Sequence, residues 1–392
     1  MITINFKNHE LNVNPYDYIG SGFEKLFTYN DLVDKYYYDE NKGKIKKPAF
    51  EASLETIKYR LDLLGYTLKN IEQEFNEIET WFRDEYSNYT PISFKQYSIL
   101  VNELNLEEYA KTHKDEFNEL DKILLIIAKE KFPDTDWLSY GETSQYFLSN
   151  IIPEITLRLL AENTNHKNIS VILRNEDNDN NILNGKSNCL ESADKFLIVA
   201  EGSTDIYILK KCLKMFYPNI LDFFDFIDME KNYPFTGSGN LYRFLQGLSK
   251  INPLNKILAI FDNDAEGYDK YKLCSKLIMP NNIKVVKLPK LEIFNNFATI
   301  GPTGEKYMDI NSSAVSIECF LDLNYKNSKK PIIRWRNFND NISKYHGALI
   351  NKEQYIRKFR DVKKSSNNYD FEKLSYLTNY IINCCIEIND ID

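Results

Sequence analysis

Two short apolar runs, each followed at once by acidic residues and a glycine, constrain the fold of this chain more than any other feature. The first run is Phe196–Ala200 (FLIVA), and EGSTD follows it. The second is Ile257–Phe261 (ILAIF), and DNDAEG follows it. Continuous apolar runs of this length are typical of strands that are buried on both faces of a parallel sheet. The acidic motifs therefore fall at the ends of two predicted strands.

The surrounding sequence alternates between strands and helices. Further strand-length segments are predicted at 221–227 and 283–288, and helices at 203–216, 239–250 and 265–279. Such alternation predicts a mostly parallel sheet flanked by helices, with functional loops at the carboxyl ends of the strands. We therefore expect an α/β domain over residues 195–325.

Four acids in the two motifs are candidate metal ligands: Glu201, Asp205, Asp262 and Asp264. Residues i and i+2 of an extended segment project to the same side, so the last two can reach one ion. Carboxylate oxygens suit Mg²⁺ or Mn²⁺, which would bridge a phosphate and activate a water molecule. Gly202 and Gly267 would let the backbone turn tightly and approach a phosphate.

The pair EGxxD and DxDxxG, about sixty residues apart, resembles the Toprim domain of topoisomerases, primases, RNA-maturing ribonucleases and OLD-family nucleases. The segment TGSGN, with Gly237 and Gly239, is similar to the glycine-bearing turn after that domain's second strand. The resemblance implies that the four acids hold one or two Mg²⁺ or Mn²⁺ ions for chemistry on nucleic-acid phosphodiesters.

Two later residues are further catalytic candidates by the same resemblance. Glu318 would be an additional carboxylate facing the ions, and Lys352 would neutralise charge on the scissile phosphate, as a late lysine does in OLD-type nucleases. The alternative is a solvated glutamate at a helix start and a solvated lysine.

The acidic motif DNDAEG also has ordinary interpretations. It imitates the start of an EF-hand loop, but Leu273 would occupy the twelfth position and an apolar strand precedes it. A phosphoacceptor receiver domain would place its acidic pair after its first strand, where EGSTD does not fit.

The stretch 325–364 contains 12 lysines and arginines against 3 acids. Basic side chains offset phosphate charge, and aromatic side chains between them can stack on unpaired bases. Residues 326–392 are predicted as a basic helical extension. For the stretch 325–364 we expect nucleic-acid contact, and the alternative is an ordinary amphipathic helix whose aromatics belong to the core. The candidate nucleic-acid-binding residues are Lys329, Lys330, Arg334, Arg336, Lys344, Arg357 and Lys358. The interleaved aromatics are Tyr325, Trp335, Phe338, Tyr345, Tyr355 and Phe359.

Residues 1–175 are predicted as a mainly α-helical domain that begins with a short hairpin, and 176–194 as a polar linker. Phrases such as KLFTYNDLV resemble the N-terminal region of bacterial HEPN/Toprim proteins. HEPN ribonucleases use an arginine and a histidine four to six residues apart, whereas Arg158 and His166 have seven residues between them. We therefore expect a helical scaffold without ribonuclease activity. The histidines at 9, 113 and 346 have no ligand-like spacing and are interpreted as structural.

The bulk properties agree with a cytoplasmic protein without a membrane span. The net charge is −8, and no apolar run approaches the roughly 20 residues that cross a bilayer. The prediction is a Mg²⁺/Mn²⁺-dependent Toprim nuclease of bacterial anti-phage defence, with RNA or DNA as substrate. A homo-oligomer or a defence-system partner protein is also expected. The alternatives are a non-catalytic Toprim-fold subunit that binds or senses nucleic acid, and catalysis on a small phosphate ester.

Overall fold

A computed structural model describes residues 2–6, 9–13, 22–39, 43–86, 89–106, 119–133, 141–173, 190–227, 237–251, 253–325 and 329–390. The chain forms two compact units. The N-terminal unit comprises Met1–Glu191 together with Asn389–Asp392, and the C-terminal unit comprises Ser192–Ile388. The predicted linker lies mostly at 174–189, outside the described residues.

The N-terminal unit contains a five-stranded antiparallel sheet in the order β2-β1-β5-β4-β3. The predicted hairpin at the start of the chain is confirmed, because Ile4 pairs with Leu11 in β1 and β2. The strands are β1 (Ile2–Phe6), β2 (His9–Asn12), β3 (Leu32–Asp39), β4 (Gly43–Ser53) and β5 (Ser170–Leu173).

Helices pack with this sheet around one apolar core. Aromatic rings pack together in this core, and the ring centroid of Phe75 lies 5.2 Å from that of Tyr97 and 5.8 Å from that of Phe147. The helices are α1 (Leu54–Leu64), α2 (Leu68–Glu85), α3 (Phe94–Asn102), α4 (Leu120–Lys131), α5 (Glu142–Ser149) and α6 (Pro153–Leu160).

Helix α1 is capped by Gly65, which has a φ of 106°. The backbone carbonyls in the last turn of a helix have no partner within the helix and need other hydrogen-bond donors. The Asn389 side chain donates to the carbonyls of Asp62 and Leu63, at 3.1 and 2.8 Å. Asp390 accepts a hydrogen bond from the hydroxyl of Thr67, the N-cap of α2. The turn between α1 and α2 is thus held by residues more than three hundred positions later.

The prediction of a mainly helical N-terminal domain is incomplete, because it missed the sheet. Strands β3 and β4 read LVDKYYYD and GKIKKPAFEAS. The side chains of β4 alternate between exposed and half-buried over much of its length, so the strand lacks a continuous apolar signal. Two of the helices, α5 and α6, are separated at residues 150–152, and Pro153 begins the second of them.

The C-terminal unit contains a parallel four-stranded sheet in the order β10-β8-β6-β7. The predicted strand at 221–227 is shorter than expected, because residues Pro218–Phe223 form a 3₁₀ helix. The strands are β6 (Phe196–Ala200), β7 (Phe224–Phe226), β8 (Lys256–Phe261) and β10 (Ile283–Lys287). The connecting helices are α7 (Ser203–Phe216), α8 (Ser238–Leu248) and α9 (Ala265–Cys274).

Two smaller sheets follow in the same unit. A mixed sheet has the order β12-β11-β14-β15, and a short antiparallel pair joins β9 to β13. The strands are β9 (Asn263–Asp264), β11 (Phe297–Gly301), β12 (Gly304–Met308), β13 (Ala314–Val315), β14 (Ile333–Asn339) and β15 (Lys344–Leu349). The last helices are α10 (Lys352–Arg360) and α11 (Glu372–Ile386).

The predicted helical extension over 326–392 is wrong in its first part, because residues 333–349 form the β14–β15 hairpin. The sequence IRWRNFN alternates basic and apolar residues with the period of a strand. The register shifts between Trp335 and Phe338, which marks an irregularity in the pairing. No helix of the described residues combines the length and the apolar character that a membrane span requires.

Candidate metal centre

Glu201 immediately follows β6 and links the ends of three chain segments. Its Oε1 accepts a hydrogen bond of 2.8 Å from the backbone N–H of Asp262, at the end of β8. Its own carbonyl accepts a 2.8 Å bond from the N–H of Gly237, immediately before α8. Because β6 and β8 are neighbouring parallel strands, their carboxyl ends meet at one edge of the sheet. The structure therefore brings the two acidic motifs together, as the sequence predicts.

Asp205 lies in the first turn of α7, where its Oδ2 accepts a 2.9 Å hydrogen bond from the N–H of Gly202. This bond holds the carboxylate at the helix start, where the helix dipole favours negative charge. Burial raises the pKa of Asp205 to about 7, and the Glu318 carboxylate adds to the increase. The Gly202 bond and Lys352 oppose it.

Asp264 forms the N-cap of α9, with its Oδ1 accepting a 2.8 Å bond from the N–H of Gly267. The residue also belongs to β9 and pairs with Ala314 in β13, so its backbone is fixed on two sides. Between the two aspartates, the Asn263 side chain is fully buried. Its Oδ1 accepts bonds of 3.1 Å from Lys287 and Ser312. These contacts set the register of the Asp-Asn-Asp segment.

Gly267 allows a close approach between the two motifs. A Cβ at this position would lie 2.4 Å from the Asp262 carbonyl oxygen and 2.7 Å from Oε1 of Glu201. Real Cβ atoms do not come so close to other atoms, so any larger residue would displace the Glu201 carboxylate. The predicted importance of Gly267 has a steric basis here, rather than one of backbone angle.

Glu318 and Lys352 form an ion pair of 3.0 Å beside the acids. Glu318 lies in the 3₁₀ helix Ile317–Phe320, and its side chain is 3% exposed. Lys352 is the first residue of α10, with its side chain 49% exposed. Burial acts to lower the pKa of Lys352, but Glu318, Asp262 and Asp205 together raise it above the ordinary value. The ammonium group is therefore held charged by the acidic cluster.

His346 lies beside the acidic cluster, although its position in the sequence indicates only a structural role. Its Nδ1 lies 3.7 Å from Oδ2 of Asp264, and that nitrogen has no hydrogen-bond partner among the described residues. His346 lies on β15, so the β14–β15 hairpin places it beside the acidic cluster. The sequence predicts a helix over this part of the chain. No spacing relates His346 to either acidic motif, because long-range pairing alone brings them together.

Mutual repulsion dominates the electrostatics of the centre. Burial, followed by the charge of Asp264, raises the pKa of Glu201 well above its ordinary value. The pKa of Asp262 is raised in the same way by burial and then by Asp205 and Glu201. Burial also raises the pKa of Asp264, although the Gly267 hydrogen bond and His346 lower it. Such a cluster is stabilised by a bound cation or by protons.

The donor chemistry fits a hard divalent cation, because every candidate ligand is a carboxylate. Three of the acids use one oxygen in a backbone hydrogen bond and keep the other: Glu201, Asp205 and Asp264. As the side chains stand, however, the described residues contain no group of three or more Asp, Glu, His or Cys that closes around an ion.

The glycines of the predicted phosphate-binding turn lie at the start of α8. Gly237 has a φ of 83°, a conformation that favours glycine, and it donates to the carbonyl of Glu201. Gly239 lies in the first turn of α8, with open space where a Cβ would be. Thr236, the first residue of TGSGN, lies outside the described residues.

The basic stretch divides into exposed and engaged side chains. Lys330 pairs with Glu305 at 3.8 Å, and Lys358 donates to the carbonyl of Tyr325. Lys344 donates to the carbonyl of Asn311. The exposed residues of the predicted nucleic-acid-binding set are Lys329, Lys330, Arg334, Arg336 and Arg357.

The aromatic side chains of this stretch also divide into two groups. Tyr355 and Phe359 are core residues, 2% and 0% exposed. Phe338 and Tyr345 are 46% and 57% exposed, and their ring centroids lie 5.0 Å apart. Only the second group presents rings to solvent, so stacking on bases remains a prediction for that pair.

Arg158 and His166, the nearest approach to a HEPN pair, are both buried in the N-terminal unit. Arg158 donates from Nε to Asp62 at 2.7 Å and also pairs with Glu162. Burial lowers the pKa of His166. These contacts commit the arginine to internal ion pairs.

Residues 1–178 match the family model described as HEPN/Toprim N-terminal domain 1. This part of the chain is therefore similar to the N-terminal region of HEPN/Toprim proteins, in agreement with the resemblance noted from the sequence. Comparison with curated proteins and with solved structures gives no match.

Proposed function

We propose that the C-terminal unit is a Toprim-type, Mg²⁺- or Mn²⁺-dependent nuclease that cleaves phosphodiester bonds of nucleic acid. The observation that supports this most is the convergence of buried carboxylates at the carboxyl end of a parallel sheet. Open α/β sheets bind ligands at that edge. Perturbed carboxylates in such a place are typical of functional sites. The match of residues 1–178 to a HEPN/Toprim model supports the same class.

In this proposal Glu201, Asp205, Asp262 and Asp264 hold the metal, with Glu318 beside them. The bound ion supplies Lewis acidity toward the phosphate and a water molecule of lowered pKa. The protein residues orient the ion through carboxylates that are themselves fixed at helix starts. Lys352 keeps its positive charge beside Glu318 and stabilises negative charge that develops on the phosphate.

The proposal is tested by cleavage of labelled single-stranded RNA, transfer RNA, single-stranded DNA and plasmid in Mg²⁺ and then in Mn²⁺. The Asp262→Asn/Asp264→Asn variant should lose cleavage by at least about a hundredfold. Asp225→Asn, an exposed acid of the same unit, is the matched control and should retain it. Cleavage that survives in the double variant would place the chemistry elsewhere in the chain.

One observation favours a second function, a non-catalytic subunit that binds or senses nucleic acid. The carboxylates of the described residues do not close around an ion as they stand. Titration calorimetry distinguishes the two functions: binding of Mn²⁺ that Asp262→Asn abolishes supports the nuclease. The absence of any Mg²⁺ or Mn²⁺ binding supports the subunit.

The biological role belongs to the same proposal and rests on the resemblance to HEPN/Toprim proteins. Defence against phage, through toxic cleavage of host or phage nucleic acid, predicts that expression of the chain lowers phage plating. Asp262→Asn should abolish that protection. Equal protection by the variant would separate any defence role from the acidic cluster.

A further inference from the structure

Four lysines gather beside the candidate metal centre, and three of them surround one ring. The ammonium groups of Lys272, Lys287 and Lys344 lie 4.9, 5.7 and 5.9 Å from the ring centroid of Tyr268. Tyr268 lies in the first turns of α9, immediately after Gly267. Attraction to the ring offsets part of the repulsion between the ammonium groups.

The fourth member, Lys290, is exposed and lies three residues after Lys287 in the chain. Burial lowers the pKa of Lys287, and the charges of Lys290 and Lys344 lower it further. Among the ion pairs of the described ranges, none includes any of the four lysines. The cluster therefore concentrates positive charge without a direct carboxylate partner among the described residues, in a protein whose net charge is −8.

The cluster is tied directly to the acidic motif. Lys287 is the last residue of β10 and lies opposite Phe261, the residue before Asp262. Its ammonium group donates to the Asn263 side chain at 3.1 Å. On β15, Lys344 and His346 are two residues apart and share a face of the strand, and His346 faces Asp264. Positive and negative clusters thus lie side by side at one edge of the sheet.

We propose that Lys272, Lys287, Lys290 and Lys344 bind a phosphate group of a nucleic-acid strand adjacent to the bond that the metal centre acts on. This inference rests on the proposed nuclease function and adds the element that holds the strand. Metal-bound carboxylates attract one phosphate through the cation, but they repel the phosphates on either side. A separate cationic site beside them removes that repulsion for a neighbouring phosphate.

The four lysines come from three segments of the chain, and only Lys344 belongs to the basic stretch at 325–364. Lys287 is unsuitable as the test residue, because its bond to Asn263 also orders the acidic segment. Lys272 and Lys290 are exposed and Lys344 is half-buried, so these three can be replaced.

The experiment measures binding without cleavage, by fluorescence anisotropy in EDTA. The probes are fluorescein-labelled RNA and DNA single strands of about 20 nucleotides and their duplexes. The Lys272→Gln/Lys290→Gln/Lys344→Gln variant should bind the preferred probe about tenfold more weakly. The slope of log Kd against log salt concentration should fall by about two.

The control removes the same charge from exposed lysines of the same unit, as Lys214→Gln/Lys250→Gln/Lys276→Gln. It should leave Kd and the salt slope close to wild type, and Lys272→Arg/Lys290→Arg should retain binding. Equal losses in the test and control variants overturn the proposal, as does the absence of binding by the wild-type protein. Binding through the cluster without cleavage in Mg²⁺ or Mn²⁺ would instead refute only the proposed nuclease activity.

Discussion

The two units treat buried charge in opposite ways. In the N-terminal unit, Arg60 is fully buried and donates 2.5 and 3.2 Å bonds to the two carboxylate oxygens of Asp31. Arg158 is paired with Asp62 in the same unit. In the C-terminal unit, carboxylates outnumber the basic groups that contact them. Loss of one partner from a buried pair is strongly destabilising, whereas a surplus of buried charge of one sign is typical of functional sites.

The largest expected effect comes from breaking the buried ion pair between Arg60 and Asp31. Arg60→Met should lower the free energy of unfolding by about 4 kcal/mol, because it leaves the Asp31 carboxylate buried without its partner. Chemical denaturation followed by circular dichroism measures the loss. Arg83→Met removes a half-exposed arginine that pairs with Glu79, and it should cost less than about 0.5 kcal/mol. Similar losses in both variants would contradict the distinction between buried and exposed pairs.

Glu154 is the exception to pairing within the N-terminal unit. Both of its carboxylate oxygens are buried without a hydrogen-bond partner among the described residues. Burial raises its pKa to about 7, with a smaller contribution from the charge of Glu74. The folded state therefore binds the proton more tightly than the unfolded state, so stability should fall as pH rises from about 4.5 to about 7.

Glu154→Gln should remove about 3 kcal/mol of the loss of stability across this window, and the raised pKa of Asp205 in the C-terminal unit should leave a remaining pH dependence of the same sign. The measurement is the free energy of unfolding at several pH values between these limits. Glu72→Gln on the exposed face of α2 serves as the control and should keep the wild-type profile. An unchanged profile in Glu154→Gln would show that another group causes the pH dependence.

The surplus of carboxylates in the C-terminal unit predicts stabilisation by a cation. Mn²⁺ at a hundredfold excess over its Kd should raise the free energy of unfolding of the wild-type protein by about 2.7 kcal/mol. Asp262→Asn should abolish this response. In EDTA the same variant should be at least as stable as wild type, because one repelling charge is gone. A variant that is less stable in EDTA would indicate that the cluster is satisfied without an ion.

The smallest expected change in stability comes from Gly267, where the backbone lies close to the Asp262 carbonyl and the Glu201 carboxylate. Gly267→Ala should lower the free energy of unfolding by about 2 kcal/mol, because the added methyl group meets the Asp262 carbonyl and Glu201. Gly247→Ala, at an open position in α8, should instead stabilise the protein by up to about 1 kcal/mol. Thermal unfolding of both variants in EDTA checks the difference, and a neutral Gly267→Ala would mean that the backbone relaxes freely.

The parallel sheet and the convergence of the two acidic motifs are predictable from sequence, because each strand and the acids after it have a local sequence signal. Strands β6 and β8 are continuous apolar runs, and each is followed directly by its acids. The helix after β6 was predicted with its observed bounds, Ser203–Phe216. Chain segments of this kind carry their own hydrophobic signal and need no distant partner to be recognised.

The remainder depends on pairing between distant segments. His346 reaches Asp264 only because residues 333–349 form a hairpin, and their mixture of basic and aromatic residues predicts a basic helical extension instead. Strand β4 of the N-terminal unit was missed because its side chains lack a continuous apolar run. Lys272 lies at the i,i+4 position from Tyr268 on α9, but Lys287 and Lys344 reach the same ring from β10 and β15, and no spacing in the sequence could indicate these two contacts.

The bonds from Asn389 and Asp390 to the turn between α1 and α2 have a consequence for biosynthesis. A ribosome makes Asp62 and Leu63 long before it makes Asn389, so the end of α1 waits for its final partners through most of translation. The N-terminal unit should consequently reach its full resistance to proteases only after residue 390 has left the exit tunnel. Nascent chains stalled before and after that point provide the comparison.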